Sequence, residues 1–92
     1  MSDPIEIGAS ILRRHGATAV YVFGSRSRGT ARPDSDVDLA AWGIPGDKYW
    51  EVYADLQDEV TVGAHLVLLE DGSPFAQHIL EKIERGWAKR VA

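Results

Sequence analysis

The sequence predicts an α/β (α+β) domain: a small mixed β-sheet with helices packed mainly on one face. Three observations predict it. Segments with apolar residues at helical spacing alternate with short runs rich in β-branched and aromatic residues. Glycine, proline and capping residues stand at the borders between them. The chain has 92 residues, enough for one core and not for two, so a single domain over residues 1–92 is expected.

Each element has a local reason. Asp3-Pro4-Ile5-Glu6 reads as a helix start: Asp3 caps, Pro4 suits the first helical position, and Glu6 stands three residues after the cap. Ile5, Ala9 and Leu12 then recur at helical spacing with Ile11 beside them, and Gly16 stops the helix. Residues 18–23 are β-branched and aromatic and form a buried first strand. A short helix is expected over 25–29, then a loop over 31–35 that Pro33 restricts. Residues 36–42 are the second strand, ended by Gly43-Ile44-Pro45-Gly46. Asp47 is placed to cap a second long helix, with Tyr49, Tyr53, Leu56 and Val60 on one face. Gly63 ends that region, and 64–69 form the third strand. Asp71-Gly72 is a turn, Ser73 caps the last helix and Pro74 opens it. Ala76, Ile79, Leu80, Ile83 and Trp87 supply that helix's apolar face.

Composition limits the function. Hydrophobic residues at 45% and charged residues at 26% are ordinary for a soluble globular domain. There is no cysteine, which excludes disulfides, thiolate metal sites and a cysteine nucleophile, and fits a cytoplasmic location. No apolar run approaches the roughly 20 residues a membrane span needs. Met1-Ser2-Asp3-Pro4 shows no basic-then-apolar leader. A net charge of −4 argues against direct nucleic-acid binding, although Arg26, Arg28 and Arg32 make one locally basic segment.

The chemistry is concentrated in residues 24–40. Gly24-Ser25 directly follows the apolar run Ala19-Val20-Tyr21-Val22-Phe23. Such a turn lets backbone approach a ligand and exposes N–H groups that suit a phosphate. Ten residues separate Ser25 from Asp36, which with Asp38 enters the second strand. Residues two apart in a strand share a face, so both carboxylates project together. Adjacent carboxylates repel unless a cation lies between them, and magnesium takes oxygen ligands and bridges to phosphates. A calcium loop does not fit, since Leu39 stands where its glycine is needed and Pro45 where its glutamate belongs. Arg26 and Arg28 are candidates to neutralise phosphate charge. On a helix, two residues so spaced do not share a face, so one faces the nucleotide and the other solvent or a partner.

Gly-Ser, ten residues, Asp-x-Asp resembles the signature of the polymerase-beta-like nucleotidyltransferases. The fuller string Gly24-Ser25-Arg26-Ser27-Arg28-Gly29 … Asp34-Ser35-Asp36-Val37-Asp38-Leu39 resembles their minimal branch, small proteins of which many are encoded beside a HEPN-domain toxin. The resemblance implies the nucleotidyltransferase fold, with Mg2+ held by Asp36 and Asp38 on the phosphates of ATP. Gly24, Ser25, Arg26 and Arg28 would bind the nucleotide. It further implies transfer of AMP to a hydroxyl, that of a tyrosine, on a cognate HEPN-type toxin, so that the chain would be an antitoxin. Family members carry an acidic residue on the third strand, in a string resembling Val-Asp-Leu-Val. Here the corresponding string is Ala64-His65-Leu66-Val67, and His65 stands in the acid's place.

Histidine can serve as a base near neutral pH, ligate a metal weakly, or be an inert replacement. Glu59, Glu70 and Asp71 are the carboxylates that the sequence offers as substitutes. A second reading therefore stands beside the first: a binding protein on the same fold that neutralises its partner by complex formation only. Trp50, beside Tyr49 and Tyr53, suggests a protein contact, and the sequence leaves both a homo-oligomer and a hetero-complex open.

Overall fold

The computed structural model describes residues 3–92; Met1 and Ser2, on which part of the expectation about a leader falls, lie outside the described residues. Strand β1 (Ala19–Phe23) pairs antiparallel with β2 (Val37–Trp42), which pairs parallel with β3 (Ala64–Leu68). A short β4 (Lys89–Arg90) adds antiparallel to the free edge of β1, giving the order β3-β2-β1-β4. This fourth strand was not among the expected elements. It is two exposed residues held through the backbone of β1, so it carries no side-chain alternation to read.

Helix α1 (Pro4–Arg14) starts where expected, with Asp3 Oδ1 accepting the Ile5 amide at 2.8 Å. Helix α2 (Ser25–Arg28) is one turn between β1 and the loop before β2. Helix α3 (Tyr49–Glu59) makes the crossover that a parallel pair such as β2 and β3 requires. Asp47 does not cap it: a 3-10 turn over Gly46–Lys48 intervenes, and no side chain caps α3. Helix α4 (Pro74–Glu84) is capped by Ser73, whose hydroxyl accepts the Ala76 amide at 3.1 Å. It ends before Trp87, which is 57% exposed and no part of the helix's apolar face. Among the described residues no helix is long and apolar enough to cross a membrane.

The two faces of the sheet carry separate cores. Val20, Val22, Val37, Leu39 and Leu66 pack with Ile11 and Leu12 of α1 and Val52 and Leu56 of α3. Phe23, Ala40 and Val67 pack with Ala76 and Ile79 of α4 on the other face. Two of the three long helices thus share one face. The second face is covered only by α4, and strand alternation sends Asp36, Asp38 and His65 to that face, at its uncovered end.

Candidate active site

The register of the sheet assembles the site. Asp38 is the strand partner of Phe23 on β1 and of His65 on β3, so the three side chains form a row across the sheet. His65 therefore does occupy the position on β3 beside the carboxylates. Its Nδ1 lies 2.9 Å from Asp38 Oδ1, and its Nε2 lies 3.5 Å from Asp36 Oδ2. The imidazole spans the two carboxylates. Asp38 is the more enclosed, at 22% side-chain exposure against 52% for Asp36.

Each carboxylate is backed by a glycine. Gly24 adopts φ 73°, ψ −151°, and a methyl group on it would overlap Asp38 Oδ2. Gly63, at φ 91°, would place a methyl 2.9 Å from Asp36 Oδ1. Gly63 and Gln57 are two contributors that sequence reasoning missed. The Gln57 amide nitrogen donates to the Ala64 carbonyl at 2.6 Å, and Gln57 Oε1 accepts the Ala64 amide at 3.3 Å, setting the start of β3 just before His65. Gly63 was legible only as a helix stop, and nothing in the pattern marked Gln57.

The other expected residues divide. Gly24 and Ser25 stand at the turn beside Asp38, where the Ser25 carbonyl accepts the Thr30 amide at 3.0 Å. Arg26 turns away from the turn's mouth and into the loop. Its Nη2 donates to the carbonyls of Ser35 at 2.6 Å and Pro33 at 3.4 Å, immediately before Asp36. Arg28 lines a cleft between α2 and the end of α4. None of the substitute carboxylates joins the site. Glu59 pairs with Arg14 at 2.9 Å, Glu70 accepts the Gly43 amide, and Asp71 lies in the 3-10 turn after β3.

The donor set decides what metal chemistry fits. Among the described residues no three His, Cys, Asp or Glu side chains are arranged to hold a metal ion. Two carboxylates on one face do fit a magnesium ion that brings its remaining ligands from substrate phosphates and water. They do not supply a third carboxylate, and His65 puts nitrogen in its place.

The family described as Polymerase beta, Nucleotidyltransferase matches residues 8–85. No curated protein matches the chain in sequence. Among solved structures, the chain is 30% identical to a proposed minimal nucleotidyltransferase, over 95% of this chain and 86% of that one, with TM-score 0.66. A toxin-antitoxin structure with AMP-PNP is 24% identical, over 97% of this chain and 72% of that one, with TM-score 0.71. A structure of the tri-AMPylated Shewanella oneidensis HEPN toxin in complex with its MNT antitoxin is 22% identical, over 95% and 66%, with TM-score 0.62. The last two likenesses speak for the fold. The matched family spans the Gly-Ser turn, both aspartates and His65, so the chain belongs to the polymerase beta nucleotidyltransferase family.

Proposed function

We propose that the chain is a magnesium-dependent nucleotidyltransferase that moves AMP from ATP to a tyrosine hydroxyl of a cognate HEPN-type toxin, and so acts as a cytoplasmic antitoxin. One observation carries the reading: the Gly24 turn, Asp38, Asp36 and His65 meet at the open end of one sheet face. The partner and the transferred group follow the likeness to a HEPN toxin that is itself AMPylated in complex with an MNT antitoxin.

Each residue has a task in that reaction. The Gly24-Ser25 turn receives the triphosphate, since only glycine lets the chain lie against Asp38. Asp36 and Asp38 are the groups that hold magnesium, which when bound offsets the charge of the triphosphate and the leaving pyrophosphate. The acceptor oxygen attacks the α-phosphorus, the bond from that phosphorus to the bridging oxygen of the β-phosphate breaks, and pyrophosphate leaves. The acceptor's proton needs a base, and His65 is placed for it beside both carboxylates.

His65 also favours a second reading, in which the fold is kept and the partner is neutralised by binding alone. The imidazole contacts one oxygen of each carboxylate, Asp36 Oδ2 and Asp38 Oδ1, and so competes with a cation for them. Transfer of label from α-labelled ATP onto the toxin separates the two. Label with the parent protein, lost in Asp36→Asn/Asp38→Asn, is the expected result. No label from a protein that still binds the toxin tightly leaves the second reading alone standing.

A further inference from the structure

Beside the Gly24 turn lies a cleft of about 360 Å³, lined by Gly24, Ser27, Arg28, Lys82, Gly86 and Trp87. Its size falls in the ~300–1,000 Å³ range of small-molecule sites. Gly24 belongs both to this cleft and to the wall behind Asp38, so the cleft adjoins the carboxylate site.

Trp87 is held in place and yet open. Its amide donates to the Lys82 carbonyl at 2.8 Å. The buried Ser27 hydroxyl lies 2.9 Å from the Trp87 carbonyl and 2.8 Å from that of Gly24, so one proton serves the phosphate turn and the Trp87 backbone together. The residue nevertheless remains 57% exposed, with the Arg85 guanidinium 5.5 Å from its ring centroid. An exposed indole carried on a hydrogen-bonded backbone is a ready stacking surface. The charge around it runs against that of the whole chain, which is −4. Arg28 and Lys82 both line the cleft, and among the described residues neither pairs with a carboxylate. A ligand matching this wall is flat, aromatic and anionic.

We propose that the cleft seats the purine ring of the donor nucleotide, with Trp87 as the stacking platform and Arg28 and Lys82 as cations toward its phosphates. This deepens the transferase reading and rests on it.

The test is calorimetric titration of the magnesium-loaded protein with ATP, and separately with inorganic triphosphate, for the parent, Trp87→Leu and Trp87→Phe. Trp87→Leu keeps apolar bulk and removes the ring, whereas Trp87→Phe keeps a ring. The expected result is ATP affinity reduced about 5- to 150-fold in Trp87→Leu, the range of one base stacked on an aromatic side chain, and largely retained in Trp87→Phe. Triphosphate affinity stays unchanged in both. Equal ATP affinity in parent and Trp87→Leu overturns the purine seat and leaves the transferase reading intact. ATP affinity unchanged with toxin affinity lost makes the cleft a protein contact and likewise overturns it. A parent that binds neither ATP nor triphosphate overturns the transferase reading and this seat with it.

Discussion

Gly24→Ala is the sharpest probe of how the turn and the carboxylates are joined. At φ 73°, ψ −151°, Gly24 occupies backbone space that is essentially reserved for glycine. Holding an alanine there costs about 1–3 kcal/mol from the backbone alone. The added methyl also overlaps Asp38 Oδ2, so Asp38 must move or the turn must open. Gly29→Ala is the control. Gly29 is also left-handed, at φ 74°, ψ 16°, but has nothing within 4 Å of an added methyl. It pays the conformational penalty only, about 1–2 kcal/mol. In a domain of this size each kcal/mol lowers Tm by about 4–8 °C. Both variants should melt lower, Gly24→Ala by the larger amount. Only Gly24→Ala should lose label transfer to the toxin, by about 10²-fold, the scale set by an ångström of misplacement. Melting curves read the first effect and transfer at a temperature where both variants are folded reads the second. Equal transfer by the two variants would refute the claim that Gly24 sets the position of Asp38.

Two further outcomes follow from contacts outside the carboxylates. Arg26→Met removes the bonds to the Ser35 and Pro33 carbonyls, a loss of roughly 1.5–3 kcal/mol in charge-assisted hydrogen bonding. The loop before Asp36 should exchange its amide hydrogens faster and be cut sooner by protease, with Arg26→Lys intermediate; unchanged loop exchange would show that Arg26 does not pin it. Burial, reinforced by neighbouring Tyr53, raises the Tyr49 hydroxyl above its ordinary value near 10. The folded chain then keeps a proton that the unfolded chain has lost, so stability is intact below about pH 10 and declines as pH rises through the folded value. Urea titrations across that range should show the decline, and Tyr49→Phe should flatten it.

What the sequence revealed and what it hid separate along physical lines. Asp36 and Asp38 were legible because a strand's two-residue period places them on one face wherever the strand ends up. Asp3 and Ser73 were legible because a cap is a local bond, made within three residues of itself. Trp87 was misplaced because it continues the apolar spacing of α4, while Gly86 at φ 77° turns the backbone out of the helix first. Asp47 fits a cap by residue type, but the chain spends those residues on a 3-10 turn. Gly63, Gln57 and the partner of Arg26 depend on which segments meet across the fold, and no local pattern encodes that.

If the chain transfers a nucleotide as proposed, the geometry of His65 separates nucleotide binding from acceptor activation. Its two ring nitrogens sit on different edges of one plane, and each faces a different carboxylate. A cation held by Asp36 and Asp38 would compete with His65 for one oxygen of each. A magnesium ion that arrives with a nucleotide needs only one or two protein carboxylates, since the phosphates complete its ligands. The histidine therefore leaves enough oxygen for nucleotide binding. What it withdraws is a third carboxylate near the place where, in the proposed reaction, the acceptor hydroxyl would be activated. His65→Asp should accordingly leave the affinity for ATP with magnesium within a few-fold of the parent and change the rate of label transfer. A rise in rate identifies a lapsed site restored, and a fall identifies His65 as the working base. If the substitution instead alters ATP affinity and leaves the transfer rate at saturating ATP untouched, His65 belongs to the nucleotide's own metal, and the division of labour drawn here is wrong.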